Sequence, residues 1–204
     1  MSYITIITLA YLVGSIPFGY LAGRVAGVDV RQQGSGNIGA TNVLRVLGRK
    51  YGYPVFVADA LKGFSAVRLG LWLGHNWTDS AYKLGVLAAV GAVLGHSFPV
   101  WLGFRGGKGV ATSAGAYVGL FPIETLIGVV VWIITFLLFR FVSLASLVAT
   151  AAVPLSIWLL APTNMPDRGL LLAFSVAITG LVIVRHRSNI RRLFRGTEPR
   201  LQRK

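Results

Sequence analysis

Residues 110–139, VATSAGAYVGLFPIETLIGVVVWIITFLLF, decide how the chain folds. As one helix rising ~1.5 Å per residue the run would be about 45 Å long, too long for a single crossing of a hydrocarbon core of ~30 Å. Val110 to Phe121 alone is short for a crossing, and the run is interrupted at Gly119-Leu-Phe-Pro122-Ile-Glu124. The neighbouring blocks resolve the choice. Tyr3 to Ala22, Tyr53 to Gly74 and Tyr82 to Phe104 come before the run, and Ser143 to Ala161 and Gly169 to Val184 come after it. Each of the two later blocks reads as one crossing. If 110–139 were also a single crossing, the basic tail from Arg185 would emerge outside, against the tendency of Lys and Arg to stay in the cytoplasm. Two crossings with a turn at Pro122 bring the tail inside. The expectation is therefore an all-α, polytopic integral membrane protein of about seven transmembrane helices. Its N-terminus lies outside, its C-terminus is cytoplasmic, and residues 1–204 form a single membrane-embedded domain.

Composition excludes the competing classes. A chain of 204 residues that is 54% hydrophobic and 13% charged, with mean hydropathy +0.68, is not a soluble domain. It has no cysteine, which removes disulfides, thiolate catalysis and Cys-ligated metals. The net charge of +14 would suit a nucleic-acid binder, but the charges flank the apolar blocks. Arg185, Arg187, Arg191, Arg192, Arg195, Arg200, Arg203 and Lys204 crowd the tail, and Arg24, Arg31, Arg45, Arg49 and Lys50 separate the first two blocks. Such residues orient a membrane protein and meet anionic headgroups, so membrane lipid is the expected partner and nucleic acid is not. The first block has no basic residue before it and Arg24 after it, the pattern of a retained helix rather than a cleaved signal. Pro17 and Gly19 mark a bend in it.

Between the first two blocks lies Gly34 to Arg45, GSGNIGATNVLR. Glycines let backbone N–H groups turn toward an anion, and Ser35, Asn37, Thr41 and Asn42 add short donors. Arg45 supplies a forked, permanent charge suited to phosphate. Gly34, Gly36 and Gly39 also spell G-x-G-x-x-G, but a dinucleotide site needs a preceding buried strand and a βαβ unit, and Arg31-Gln32-Gln33 precedes it here. An inert inter-helix loop is the plain alternative.

A second candidate cradle is Gly106-Gly107-Lys108-Gly109 opening onto a helix at Val110, where exposed N–H groups carry partial positive charge and Lys108 a full one. It is not a Walker A loop, since Leu102 and Gly109 stand where a Gly and a Ser or Thr are required. His96, just before it, joins the substrate-binding set as support. In H-R-S-N, His186 and Asn189 are one helical turn apart and on a helix would present together toward one cavity, the plain alternative being a charged flank. Asp59 and Lys62 share a face of the second block, as a structural ion pair or a substrate-lining one. No acidic residue is expected in these clusters: Glu198 reads as tail and Glu124 as lying on the far side. A carboxylate base or metal site is not expected, nor is a cofactor.

The stretches GSIPFGYL from Gly14, VDVRQQGSGNIGATNVLRVLG from Val28, DALKG from Asp59, LGHSFPVWLGFRGGKGVATSAG from Leu94, VSLAS from Val142 and RHRSNIRRLFRGTE from Arg185 together resemble the bacterial acyl-phosphate:glycerol-3-phosphate acyltransferases, the PlsY family. The resemblance covers essentially the whole chain. It implies acyl transfer from acyl phosphate to the 1-hydroxyl of glycerol 3-phosphate, giving lysophosphatidic acid and phosphate in phospholipid synthesis. It implies a multi-pass protein of the bacterial inner membrane with a cytoplasmic-side site, and as a partner the soluble enzyme that makes acyl phosphate. Ser35, Arg45, Lys108, His186 and Asn189 are then expected to be catalytic. Gly34, Gly36, Asn37, Thr41, Asn42, His96, Gly106, Gly107 and Gly109 are expected to bind substrate. Which loop takes which phosphate is open, as is whether His186 or the donor phosphate receives the hydroxyl proton. A small anion channel or transporter is the competing class. It would usually place ligands near the midplane between repeated halves, and the chain shows no repeat.

Overall fold

The computed structural model describes residues 3–77 and 81–201, so Thr78, Asp79 and the tail's Arg203 and Lys204 lie outside the described residues. Among the described residues there are ten α-helices and no strand. They are α1 (Tyr3–Gly14), α2 (Phe18–Val25), α3 (Ala40–Leu47), α4 (Arg49–Trp77), α5 (Ala81–Ser97), α6 (Val110–Leu120), α7 (Pro122–Phe139), α8 (Val142–Leu160), α9 (Arg168–Arg185) and α10 (Arg187–Phe194). Contacts group the chain into two compact units, Met1–Leu120 and Phe121–Lys204.

Among the described residues, five segments are long and apolar enough to cross a membrane: Tyr3–Val25, Ala81–Leu102, Pro122–Phe139, Val142–Leu160 and Arg168–Arg185. The run that governs the count is broken where the sequence indicates. α6 ends at Leu120, Phe121 leaves helical geometry with φ −148° and ψ 79°, and Pro122 opens α7, where its missing N–H costs nothing. The large residues along α7 face outward, with Ile123, Leu126 and Leu138 at 70%, 63% and 71% exposure. That is the surface of a helix meeting hydrocarbon rather than water.

In the first unit α5 packs between α1 and α4, and α6 packs on α4. The backbones approach closely because glycines stand at the crossings. A methyl on Gly91 or Gly95 of α5 would meet the Ile7 or Tyr11 carbonyl of α1, and one on Gly63 of α4 would meet Thr112 of α6. Small residues are the usual means of such approach where lipid removes the hydrophobic drive between helices. The bend expected at Pro17 is a full break between α1 and α2 at residues 15–17. Beyond it Gly19 packs against the carbonyl of Ile38. The chain from 26 to 39 is thereby drawn back over α2. Val30, Ile38, Val43 and Val55 form a buried cluster beneath it, flanked by Phe18, Tyr20 and Leu47. In the second unit α8 packs on both α7 and α9, and α10 touches α8 and α9.

Candidate active site

The loop from Val28 to Gly39 is held by local contacts. Arg31 donates to both oxygens of Asp29, closing an ion pair of 2.7 Å, and stacks 4.6 Å over the Tyr20 ring. The Arg31 hydrogen bonds hold the exposed Asp29 carboxyl down at about 2. Gly34 and Gly36 take left-handed backbone at φ 59° and 68°, a region that glycine enters without penalty. A methyl on Gly34 would also overlap Oδ1 of Asn42.

Asn42 is 2% exposed. Its Oδ1 accepts the Ser35 N–H at 2.8 Å, and its Nδ2 donates to the carbonyls of Val30 at 3.0 Å and Gln33 at 3.1 Å. It was expected to touch substrate through this amide. In the structure that amide is engaged with three backbone groups beneath the loop, the Ser35 N–H and the Val30 and Gln33 carbonyls. Ser35 and Gly36 remain exposed above it, with Asn37, Thr41 and Arg45 partly so. Thr41 and Arg45 are one turn apart on α3, so both side chains rise from the same face of that helix.

Asn37 joins the two loops. Its Oδ1 accepts the Gly39 N–H at 2.8 Å, and its Nδ2 reaches the Gly106 carbonyl at 3.5 Å across 69 positions of sequence. For the Gly106 loop the sequence expectation is of exposed N–H groups at the N-terminus of α6. The Gly106 N–H donates to Ser97 O at 3.2 Å and the Gly107 N–H to His96 O at 3.0 Å. Both thus fold back on the last carbonyls of α5, which a helix end leaves without intrahelical partners. Their lack of a side chain serves packing: a methyl on Gly106 would strike His96 O, and one on Gly107 the His96 ring. The first amides of α6, those of Val110 and Ala111, follow Gly109 at φ 85° and open the helix N-terminus, where N–H groups carry partial positive charge. Lys108 is partly exposed beside them. Behind the loop, His96 and the Asp59–Lys62 pair are all buried.

In the second unit His186 is the junction of α9 and α10 and is 3% exposed. Its Nδ1 lies 2.8 Å from Val182 O. A carbonyl only accepts, so the neutral ring carries its proton on Nδ1 and its lone pair on Nε2. Asn189, one turn on, is 4% exposed. Its Nδ2 donates at 2.7 Å to Oε1 of Glu198, which also accepts the Ser143 hydroxyl at 2.6 Å, while Arg192 donates to Oε2 at 2.8 Å. This corrects the expectation that no acidic residue belongs to these clusters: Glu198 lies in the tail but is bound to Asn189. Burial works against its ionisation, but hydrogen bonds from Ser143, Asn189 and Arg192 outweigh that and hold its carboxyl below the usual range. With these donors occupying both oxygens, Glu198 serves as an anchor for Asn189 and is poorly placed to act as a base. Ser143 and Glu198 were not singled out from the sequence as neighbours of Asn189. Both sit in stretches that carry the family resemblance, yet no spacing rule couples positions 55 apart.

The glycerol-3-phosphate acyltransferase family profile matches residues 4–196. A glycerol-3-phosphate acyltransferase of Geotalea daltonii is 44% identical over 199 residues, covering 97% of this chain and 96% of the relative. One of Synechococcus elongatus is 47% identical over 205 residues, covering 98% and 95%. A solved structure described as PlsY (YgiH), an integral membrane glycerol 3-phosphate acyltransferase in its glycerol 3-phosphate form, superposes with a TM-score of 0.88 at 42% identity, covering 99% of this chain and 96% of that one. The lysophosphatidic acid form of the same protein gives 0.86 at 41% identity. Profile, relatives and solved structures agree over nearly the whole length, and the chain belongs to the glycerol-3-phosphate acyltransferase family.

Proposed function

We propose that the protein transfers a fatty acyl group from acyl phosphate to the 1-hydroxyl of glycerol 3-phosphate, releasing 1-acyl-glycerol 3-phosphate and inorganic phosphate. The observation that carries this reading is the bridge from Asn37 to Gly106, which holds two anion-adapted loops side by side. Both substrates are phosphate monoanions or dianions, and both need such a cradle. Ser35, Arg45 and Lys108 grip phosphate together with the amides of the α6 first turn. His186, with its lone pair on Nε2, and Asn189, with its amide fixed by Glu198, orient the glycerol hydroxyl.

Acyl phosphate is already activated, so catalysis consists of placing the hydroxyl oxygen against the acyl carbon and neutralising charge as it develops. The new ester C–O bond forms as the acyl carbon's bond to the phosphate oxygen breaks. The hydroxyl proton ends on the departing phosphate, whose second pKa near ~6 lets it accept one. Of the two candidate bases we favour the donor phosphate, with His186 as the hydroxyl's hydrogen-bond acceptor. The two extra crossings beyond the five clearly apolar ones are α4 and α6. α4 has the length, 29 residues or about 44 Å, but carries Asp59, Lys62 and Arg68. α6 is short. In this reading the chain makes seven crossings with an external N-terminus and a cytoplasmic C-terminus and, as the family resemblance implies, lies in the bacterial inner membrane with its site open to the cytoplasm and to the soluble enzyme that supplies acyl phosphate.

The relatives support this reading over the anion-channel alternative. The test is to supply purified protein with glycerol 3-phosphate and acyl phosphate, with acyl-CoA in a parallel reaction. Lysophosphatidic acid should form from acyl phosphate. Product from acyl-CoA alone would overturn the donor assignment.

A further inference from the structure

Three ionisable side chains lie behind the Gly106 loop and have no place in the reaction as drawn. Asp59 and Lys62 stand one turn apart on α4, paired at 2.8 Å with side chains 2% and 3% exposed. Lys62 also donates to Ile16 O at 3.0 Å, at the break between α1 and α2, and lies 5.5 Å over the Phe18 ring. His96, in the last turn of α5, is 5% exposed and brings Nδ1 to 3.4 Å from Asp59 Oδ1. The other edge of the ring faces Gly107, where the atom nearest an added methyl is Nε2. His96 and Ser97 present the carbonyls to which the Gly107 and Gly106 amides are bound.

A buried ion pair that served only to join helices would be a costly way to do so, because desolvation opposes it and an apolar pair of similar size often does as well. What an apolar pair could not supply is a fixed carboxylate beside an imidazole. A carboxylate on one ring nitrogen sets the orientation of the whole ring. Here that orientation decides how near α5 the loop can sit. The line of contact runs from Lys62 through Asp59 and His96 to Gly107, and the same lysine ties the line to the break that precedes the Gly34 loop.

We propose that Asp59, held by Lys62, seats the His96 ring against Gly107, and that these are positioning residues for the Gly106–Gly109 phosphate cradle. The ring is the floor on which the loop rests. The inference relies on reading that loop as the cradle for the phosphate group of one of the two substrates. It predicts coupling: the ring and the absent side chain at 107 occupy adjoining space, so each fixes what the other can be.

The experiment measures KM and kcat for both phosphate substrates in His96→Ala, Gly107→Ala and the double variant, with monodispersity in detergent as the check on folding. Each single variant should raise KM for one and the same substrate by about tenfold with kcat changed much less, the pattern of lost ground-state binding. In the double variant the methyl enters space the ring has left. Its KM should fall at least ~5-fold short of the product of the single effects, as expected for residues in direct contact. Asp59→Asn, which keeps the shape and removes the charge that orients the ring, should raise the same KM. If Gly107→Ala does not fold, Asp59→Asn and His96→Ala decide, since positioning requires both to move the same KM. A raised KM in Gly107→Ala with an unchanged KM in His96→Ala, or multiplicative single effects, overturns the positioning role while leaving the cradle intact. Unchanged KM for both substrates in Gly107→Ala refutes the cradle and the proposal with it.

Discussion

Replacing Asn42 separates a brace from a ligand. In the structure one carboxamide makes three hydrogen bonds to the backbone of the loop it supports, and at 2% exposure water does not compete for them. Net contributions of ~0.5–1.5 kcal/mol per bond sum to about 1.5–4.5 kcal/mol for Asn42→Ala. At about 1.4 kcal/mol per factor of ten, the Gly34–Ser35 segment should open roughly 10- to 10³-fold more often. Asn42→Asp should be worse than Ala despite being nearly isosteric. It keeps the acceptor for the Ser35 amide, but turns a carboxylate toward the Val30 and Gln33 carbonyls and removes the donor both had. The direct assay is hydrogen exchange of the peptide containing Ser35, alongside KM and kcat. Exchange there should accelerate in the order wild type, Ala, Asp, and activity should fall in the same order. A phosphate ligand would behave otherwise. If Asn42→Ala exchanges like wild type and only KM for a phosphate substrate rises, Asn42 touches substrate and the bracing argument is wrong.

Four further outcomes are expected. The Glu198 carboxyl is held below its ordinary range, so its stabilisation is complete above the unfolded value near ~4.3 and is lost as pH falls through the lower folded value. Thermal stability of the wild type should be flat near neutrality and drop in acid, while Glu198→Gln should be less stable near neutrality and show a shallower acid drop; equal acid profiles would contradict the assignment. Arg45→Lys preserves charge but not the fork, and should lose most activity if Arg45 binds phosphate bidentately, so near-normal turnover would reduce Arg45 to a membrane-flanking charge. A general base is worth about 10²- to 10⁴-fold, whereas folded His186→Gln should keep measurable turnover whose ascending limb stays near the phosphate pKa. A flat profile or background activity would make His186 the base. A reporter fused to the C-terminus should read cytoplasmic and an N-terminal tag should be reachable from outside, and the reverse would end the seven-crossing arrangement.

Hydropathy and charge placement are properties of consecutive residues, so the all-helical membrane class, the break between α6 and α7 at Phe121–Pro122 and the two glycine-rich loops were all legible in the sequence. The Asp59–Lys62 pair was legible too, because three positions on a helix fix a shared face. Only the tertiary structure decided what each polar group does. A glycine that lets an anion approach and a glycine that lets a helix end pack closely look identical in sequence, and only the structure shows that a methyl on Gly106 would meet His96 and Pro99 and one on Gly107 the His96 ring. Asn42 reads as a donor to substrate until Val30, Gln33 and Ser35 are seen closing around it. Glu198 reads as tail until packing brings it to Ser143 and Asn189, 55 and 9 positions away. The partner of a buried polar group is chosen by which backbones meet in three dimensions, and burial makes that partner obligatory. No periodicity along the chain encodes such a meeting.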